Sequence, residues 1–79
     1  MIIDEYGNRR FYGVYRGTVT HNRDPLKKNR LRFTVPQVLG NEVTDWAWGM
    51  NTNSASIGQG VWVMFEGGDP AYPIWIGKF

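Results

Sequence analysis

A chain of 79 residues with no cysteine and a single histidine, His21, has nothing to staple itself with. Disulfides and thiolate zinc sites are excluded, and one imidazole does not make a transition-metal cluster. No metal or cofactor is expected, so the fold stands on apolar packing or on surface shared with another chain. The margin at this size is thin. Folding hides only about 60% of the surface that an unfolded chain of this length exposes, against an ordering cost on the order of 1.5 kcal/mol per residue. The length suffices for one domain and not two. Yet the sequence carries four tryptophans, four tyrosines and four phenylalanines, more large rings than so small an interior holds. The surplus is expected outside, where Trp and Tyr serve protein interfaces.

Residues 1–10 read as a polar lead-in and 11–79 as a single domain. From Phe11 to Thr20 the chain is rich in β-branched and aromatic residues, with Gly13 and Gly17 four apart, which predicts one long, bent first strand. His21–Asn29 has the turn chemistry of Asn and Asp-Pro and predicts a hairpin loop. Arg30–Val35 alternates, with Leu31, Phe33 and Val35 on one face and Arg30, Arg32 and Thr34 on the other. Pro36 ends that pairing, and Gly40-Asn41 predicts a turn. Thr44–Trp48 predicts a short third strand with Trp46 and Trp48 on one face. The small, polar run Gly49–Gly60 predicts a loop, without helix. Val61–Glu66 predicts strand four, with Val61, Val63 and Phe65 inward. Pro73–Phe79 predicts strand five, with Ile74 and Ile76 on the core face and Trp75 opposite. Five strands with a long bent first one predict an all-β, small five-stranded Greek-key barrel of the OB-fold type. The long gap between strands three and four favours that fold over an SH3-like barrel.

Charge is distributed unevenly along the chain. Eight of the nine basic residues fall between Arg9 and Arg32, against Asp4, Glu5 and Asp24; beyond, Lys78 stands alone against Glu42, Asp45, Glu66 and Asp69. Such asymmetry suits nucleic acid, or a subunit whose two ends meet oppositely charged neighbours. No catalytic constellation is visible, and no enzyme is expected. His21 sits in a charged turn with nothing to place it beside Ser54 or Ser56. Glu66 and Asp69 flank a two-glycine turn, and Gly58-Gln59-Gly60 lacks the ending of a phosphate loop. The alternative function is binding of single-stranded nucleic acid, with Arg30 and Arg32 on one face beside Tyr12 or Tyr15. The modest net charge of +2 and the acidic second half argue against nucleic acid. No segment approaches the ~20 apolar residues of a membrane span, so no stable membrane insertion is expected. The N-terminus lacks the layout of a signal peptide, and synthesis in a cytoplasm is expected.

The runs Gly17–Leu26 and Asn29–Pro36 resemble the opening hairpin of the OB-fold domain of phage baseplate hub and central spike proteins. That domain begins the tail-associated lysozyme of contractile phages and occurs in VgrG-type spikes of type VI secretion. The resemblance continues through Trp46-Ala47, the strand Gly60–Glu66, the turn Gly68-Asp69-Pro70 and the strand Pro73–Gly77. It implies a virion structural protein of the tail tip or baseplate, made in the host bacterial cytoplasm. It also implies a homotrimer or other ring that joins the tail-tube hub to a spike or tip protein. The sequence ends at Phe79, after the fifth strand, so neither the lysozyme domain nor the β-helical needle of some members is expected, and a stand-alone adaptor is. Trp46, Trp48, Trp62 and Trp75 are the candidates for subunit contacts, with one or two reserved for plugging the barrel. Lys27, Lys28, Arg30 and Arg32 are the candidates for meeting an acidic neighbouring surface.

Overall fold

A computed structural model describes residues 1–50 and 54–79. In β3 (Tyr15–His21), Gly17 lets two neighbours close in: a Cβ there would lie 2.9 Å from the Thr34 carbonyl oxygen and 3.1 Å from Val63. Ahead of it, β1 (Ile2–Ile3) and β2 (Arg9–Arg10) form a separate small antiparallel pair. After it come β4 (Arg32–Thr34), the single turn α1 (Pro36–Leu39), β5 (Trp48–Gly49), β6 (Gly60–Phe65), a 3₁₀ turn (Glu66–Gly68) and β7 (Pro73–Lys78).

The five strands of the main sheet lie in the order β4-β3-β6-β7-β5. All neighbours are antiparallel except β5 and β7, which run parallel with Trp48 opposite Ile74. The sheet curls until its edges meet at an isolated bridge, Leu31 to Ala47, whose two backbone hydrogen bonds measure 3.1 and 2.7 Å. Below it, the Thr44 N–H donates to the Phe33 carbonyl (2.8 Å), and the Thr44 hydroxyl oxygen accepts the Phe33 N–H (3.2 Å). This closure, with first strand shared between second and fourth and third parallel to fifth, is the Greek-key OB barrel.

The expected first strand is shorter than its composition suggests. Phe11–Val14 lies outside the ladder because the Phe11 N–H is taken by the Gly68 carbonyl (2.8 Å), which draws this segment across the barrel end. There Phe11, Tyr15 and Phe65 pack ring to ring at 5.9–6.3 Å. A helical turn also stands where only a turn was expected. Pro36 starts it, its fixed φ and missing donor being harmless at the first position, and Gly40 at φ 59 ends it. In the third strand only Trp48 and Gly49 ladder regularly. The expected loop Gly49–Gly60 lies partly outside the described residues at 51–53; beyond them, Gly58 and Gln59 bond to Val19 and lead into β6.

Leu31, Phe33, Val35, Val61, Val63 and Phe65 are all in the core, as their alternation predicts, together with Val19, Ala47, Ala55 and Trp75. Strand β7 corrects the reading of its faces. Trp75 is fully buried, and Ile74 and Ile76 are half-buried. Its pairing with β6 sets Pro73 opposite Phe65 and Trp75 opposite Val63, both inward residues; the register then slips by one, with Ile76 as the extra residue before Gly77 meets Trp62. Gly49 makes room for the indole, since a Cβ there would lie 2.6 Å from Trp75.

Candidate functional site

The strands that close the barrel carry the most organised surface of the molecule. Because Leu31 and Ala47 face each other inward across the seam, their neighbours face each other on the outside: Arg30 beside Trp48 and Arg32 beside Trp46. The Arg30 guanidinium lies 5.6 Å from the Trp48 ring centroid, and that of Arg32 lies 6.0 Å from Trp46. These are cation–π distances. His21, which pairs with Arg32 across β3 and β4, meets Trp46 edge-on at 6.4 Å. The seam is therefore a cross-strand ladder of two arginine–tryptophan pairs over the Leu31–Ala47 bridge, with a second bridge from Thr34 to Val43 further along.

Both arginines have further commitments. Arg32 Nε donates to the Thr44 carbonyl at 2.9 Å. Arg30 grips the Asp24 carboxylate with both Nε and Nη2, each at 2.8 Å. The same carboxylate accepts the backbone N–H groups of Leu26 (2.9 Å), Lys28 (3.1 Å) and Arg30 (3.2 Å), so one side chain folds the whole β3–β4 loop around itself. The tightness of that wrap shows in Lys27 and Asn29, both at positive φ. The Arg30 guanidinium, then the three N–H donors, hold the Asp24 carboxyl well below the usual carboxylate range, overcoming the opposing effect of burial. Sequence reading took Asp24-Pro25 as a turn and missed this anchor; the signal was an Asp six residues before an Arg, too common to point to it. Of the four basic candidates, only Lys27 and Lys28 extend exposed from the loop tip, while Arg30 and Arg32 are half-buried and tied into the barrel.

The tryptophans separate by strand. Trp48 is the most exposed of them at 54%, and Trp46 and Trp62 are half-buried. Trp62 belongs to a different cluster, where Arg16 lies directly opposite it on β3, 5.3 Å from the Trp62 ring and 5.4 Å from that of Phe79. Phe79 tilts against Trp62 at 4.7 Å over Gly60. Arg16 and Phe79 escaped sequence reading because their meeting depends on the β3–β6 register and on where the last residue lands. Trp75 does not reach the surface at all; as a subunit contact it is corrected to a core residue. Its indole Nε1 has no hydrogen-bond partner among the described residues.

Two shallow concavities flank the seam. One, of about 190 Å³, is lined by Thr20, His21, Asn22, Arg23, Trp46 and Ile57. The other, of about 320 Å³, lies between the 42–45 segment and the start of β7. The first sets His21 Nδ1 2.9 Å from the Thr20 hydroxyl, but that hydroxyl donates to the Arg32 carbonyl at 3.2 Å, and Ser56 bonds through its carbonyl to Gln59. Among the described residues no three His, Asp or Glu side chains come together to hold a metal ion, and no helix is long and apolar enough to cross a membrane. What the surface offers is rings, cations and acids held in fixed places, the equipment of a contact surface.

Comparison with known proteins gives one family match: the model of the type VI secretion system/phage-baseplate injector OB domain covers residues 15–79, which span every strand of the barrel. No curated protein matches the chain.

Proposed function

The chain belongs to the type VI secretion system/phage-baseplate injector OB domain family, and from that premise we propose that it is an adaptor ring between the tail-tube hub and the central spike. The family role is structural, in the baseplate, among other tail and baseplate proteins. The finer reading makes the chain a homotrimer or other closed ring that passes axial force from tube to spike. The single observation that carries it is that the family match runs through all five barrel strands. The bridged seam supports it, because sheet edges that meet are less open to shear and to pairing with stray strands. Exposed Trp48, with Trp46 and Trp62, is proposed to lie in subunit contacts, where half-exposed tryptophans act as anchors. Arg30 and Arg32, the residues on which nucleic-acid binding would depend, are engaged with Asp24 and Thr44.

The test is reconstitution. The purified chain is mixed with the hub and spike proteins encoded beside it, and complexes are resolved by size-exclusion chromatography with light scattering. A ring that bridges the two is expected. A chain that joins neither protein at micromolar concentration sinks the reading.

A further inference from the structure

Two surfaces of this barrel complement each other in both charge and apolarity, and they lie at opposite ends. The first is the β3–β4 loop tip, which Asp24 holds rigid from beneath. It projects Leu26, 63% exposed, followed by exposed Lys27 and Lys28. Among the described residues neither lysine is in a salt bridge. The second is the groove of about 320 Å³ between the 42–45 segment and the start of β7, lined by Leu39, Val43, Pro70 and Pro73 together with Glu42 and Asp45. Both acids are exposed and, among the described residues, in no salt bridge, although Asp45 accepts the Trp46 N–H at 2.8 Å and its charge reaches Arg30. Cavities of about 150 Å³ already hold a benzene-sized group, so the groove has room for a leucine and part of its turn.

Topology forbids the two from meeting within one molecule. The loop joins β3 to β4 at the end where His21 pairs with Arg32. Helix α1 follows β4 at the other end, and β7 starts there too, because β6 finishes beside the first residues of β3. Tip and groove therefore meet only between copies. We propose that the Leu26-Lys27-Lys28 tip of one copy docks in the Glu42/Asp45-lined groove of the next, with Leu26 on the apolar lining and the lysines facing the acids. The inference rests on the ring reading above and gives that ring its contact. A head-to-tail contact is heterologous: repeated, it closes into a ring when its rotation divides a full turn. The charges set orientation and exclude the reversed docking, while the apolar lining supplies the affinity.

The experiment is a charge swap in the full chain, read by sedimentation velocity across a range of concentration. Lys27→Glu/Lys28→Glu and Glu42→Lys/Asp45→Lys are each expected to weaken self-association at least tenfold. The quadruple variant, with an acidic tip and a basic groove, is expected to reassemble, and an equimolar mixture of the two double variants is expected to restore the contact between unlike copies, in an alternation that closes only an even-numbered ring. All four positions are exposed, so circular dichroism and the melting temperature are expected to match wild type. An oligomer that both double variants leave intact overturns the proposal. So does a wild type that stays monomeric, or a quadruple variant and mixture that both fail to reassemble. Hub binding by the wild type is measured alongside: its loss counts against the adaptor reading, whereas the charge swap judges the tip-in-groove contact alone.

Discussion

The guanidinium of Arg30 lies 5.6 Å from the ring of Trp48, on the outer face of the Leu31–Ala47 bridge that helps close the barrel. Arg30 is at the same time the partner of Asp24, which organises the loop carrying the basic tip. One residue thus couples barrel closure to the presentation of Lys27 and Lys28. The consequences below follow from this seam, the core behind it and the loop above it.

Trp48 is exposed, so its replacement costs the isolated domain little. Trp48→Ala is expected to lower stability by about 0.5–1 kcal/mol, the size of an exposed cation–π contact. Chemical denaturation measures this. The same substitution is expected to weaken binding to other subunits far more, and an unaltered assembly would place the interface elsewhere.

Gly49 has no spare room. Its Cβ would meet the Trp75 indole at 2.6–2.9 Å, with the ring fixed in the core. Gly49→Ala is expected to cost about 1–3 kcal/mol, as overpacking does, and to lower the melting temperature by about 4–8 °C per kcal/mol. Gly60→Ala faces a comparable clash with Phe79, but that ring is 54% exposed and has room to swing aside. Its melting temperature is expected to stay near wild type. Equal losses at the two positions would contradict this account.

Trp75→Ala removes the largest buried side chain and is expected to cost about 3–5 kcal/mol, enough to unfold much of so small a domain. Trp75→Phe keeps most of the packing and also removes the buried N–H, which has no partner among the described residues and whose desolvation costs about 1–3 kcal/mol. The phenylalanine variant is therefore expected to remain folded, with a small net loss. Far-ultraviolet circular dichroism during heating separates the two outcomes.

Asp24 gives the fold a dependence on acid. Its carboxyl is held below its unfolded value, near 3.9, by Arg30 and three backbone N–H groups. The unfolded chain thus takes up the proton first. The stabilisation is fully present above about pH 4 and is lost as pH falls toward the folded value. Urea titrations from pH 6 downward are expected to show stability declining below about pH 4. In Asp24→Asn, which is less stable at neutral pH, that decline is expected to be shallower. An identical slope in both proteins would assign the acid sensitivity to another group, such as Asp4 beside Arg10.

Much of the barrel was legible from strict alternation. In Arg30–Val35 one face is apolar and the other is Arg30, Arg32 and Thr34, so one burial pattern fits; in Val61–Glu66 the acid Glu66 marks the outer face that Trp62 and Met64 share, and the six inward residues follow. In Pro73–Gly77 both faces are apolar, so periodicity does not choose between Trp75 and the two isoleucines. Only pairing with β6 makes that choice, and the register slip at Ile76 has no signature in the residues themselves. The site divides in the same way. The outward placement of Arg30, Arg32, Trp46 and Trp48 was readable strand by strand, but their meeting across the seam was not.

The amino-acid sequence alone determined that this chain is all-β, built on alternating strands, without thiols, and with more aromatic rings than its core accepts. Those are local properties, set by side-chain chemistry and a period of two. The tertiary structure decided which tryptophan is core, which arginines are occupied, and that the basic tip and the acidic groove lie at opposite ends. These depend on which strands become neighbours and in what register, and that is settled by the packing energy of the closed barrel as a whole.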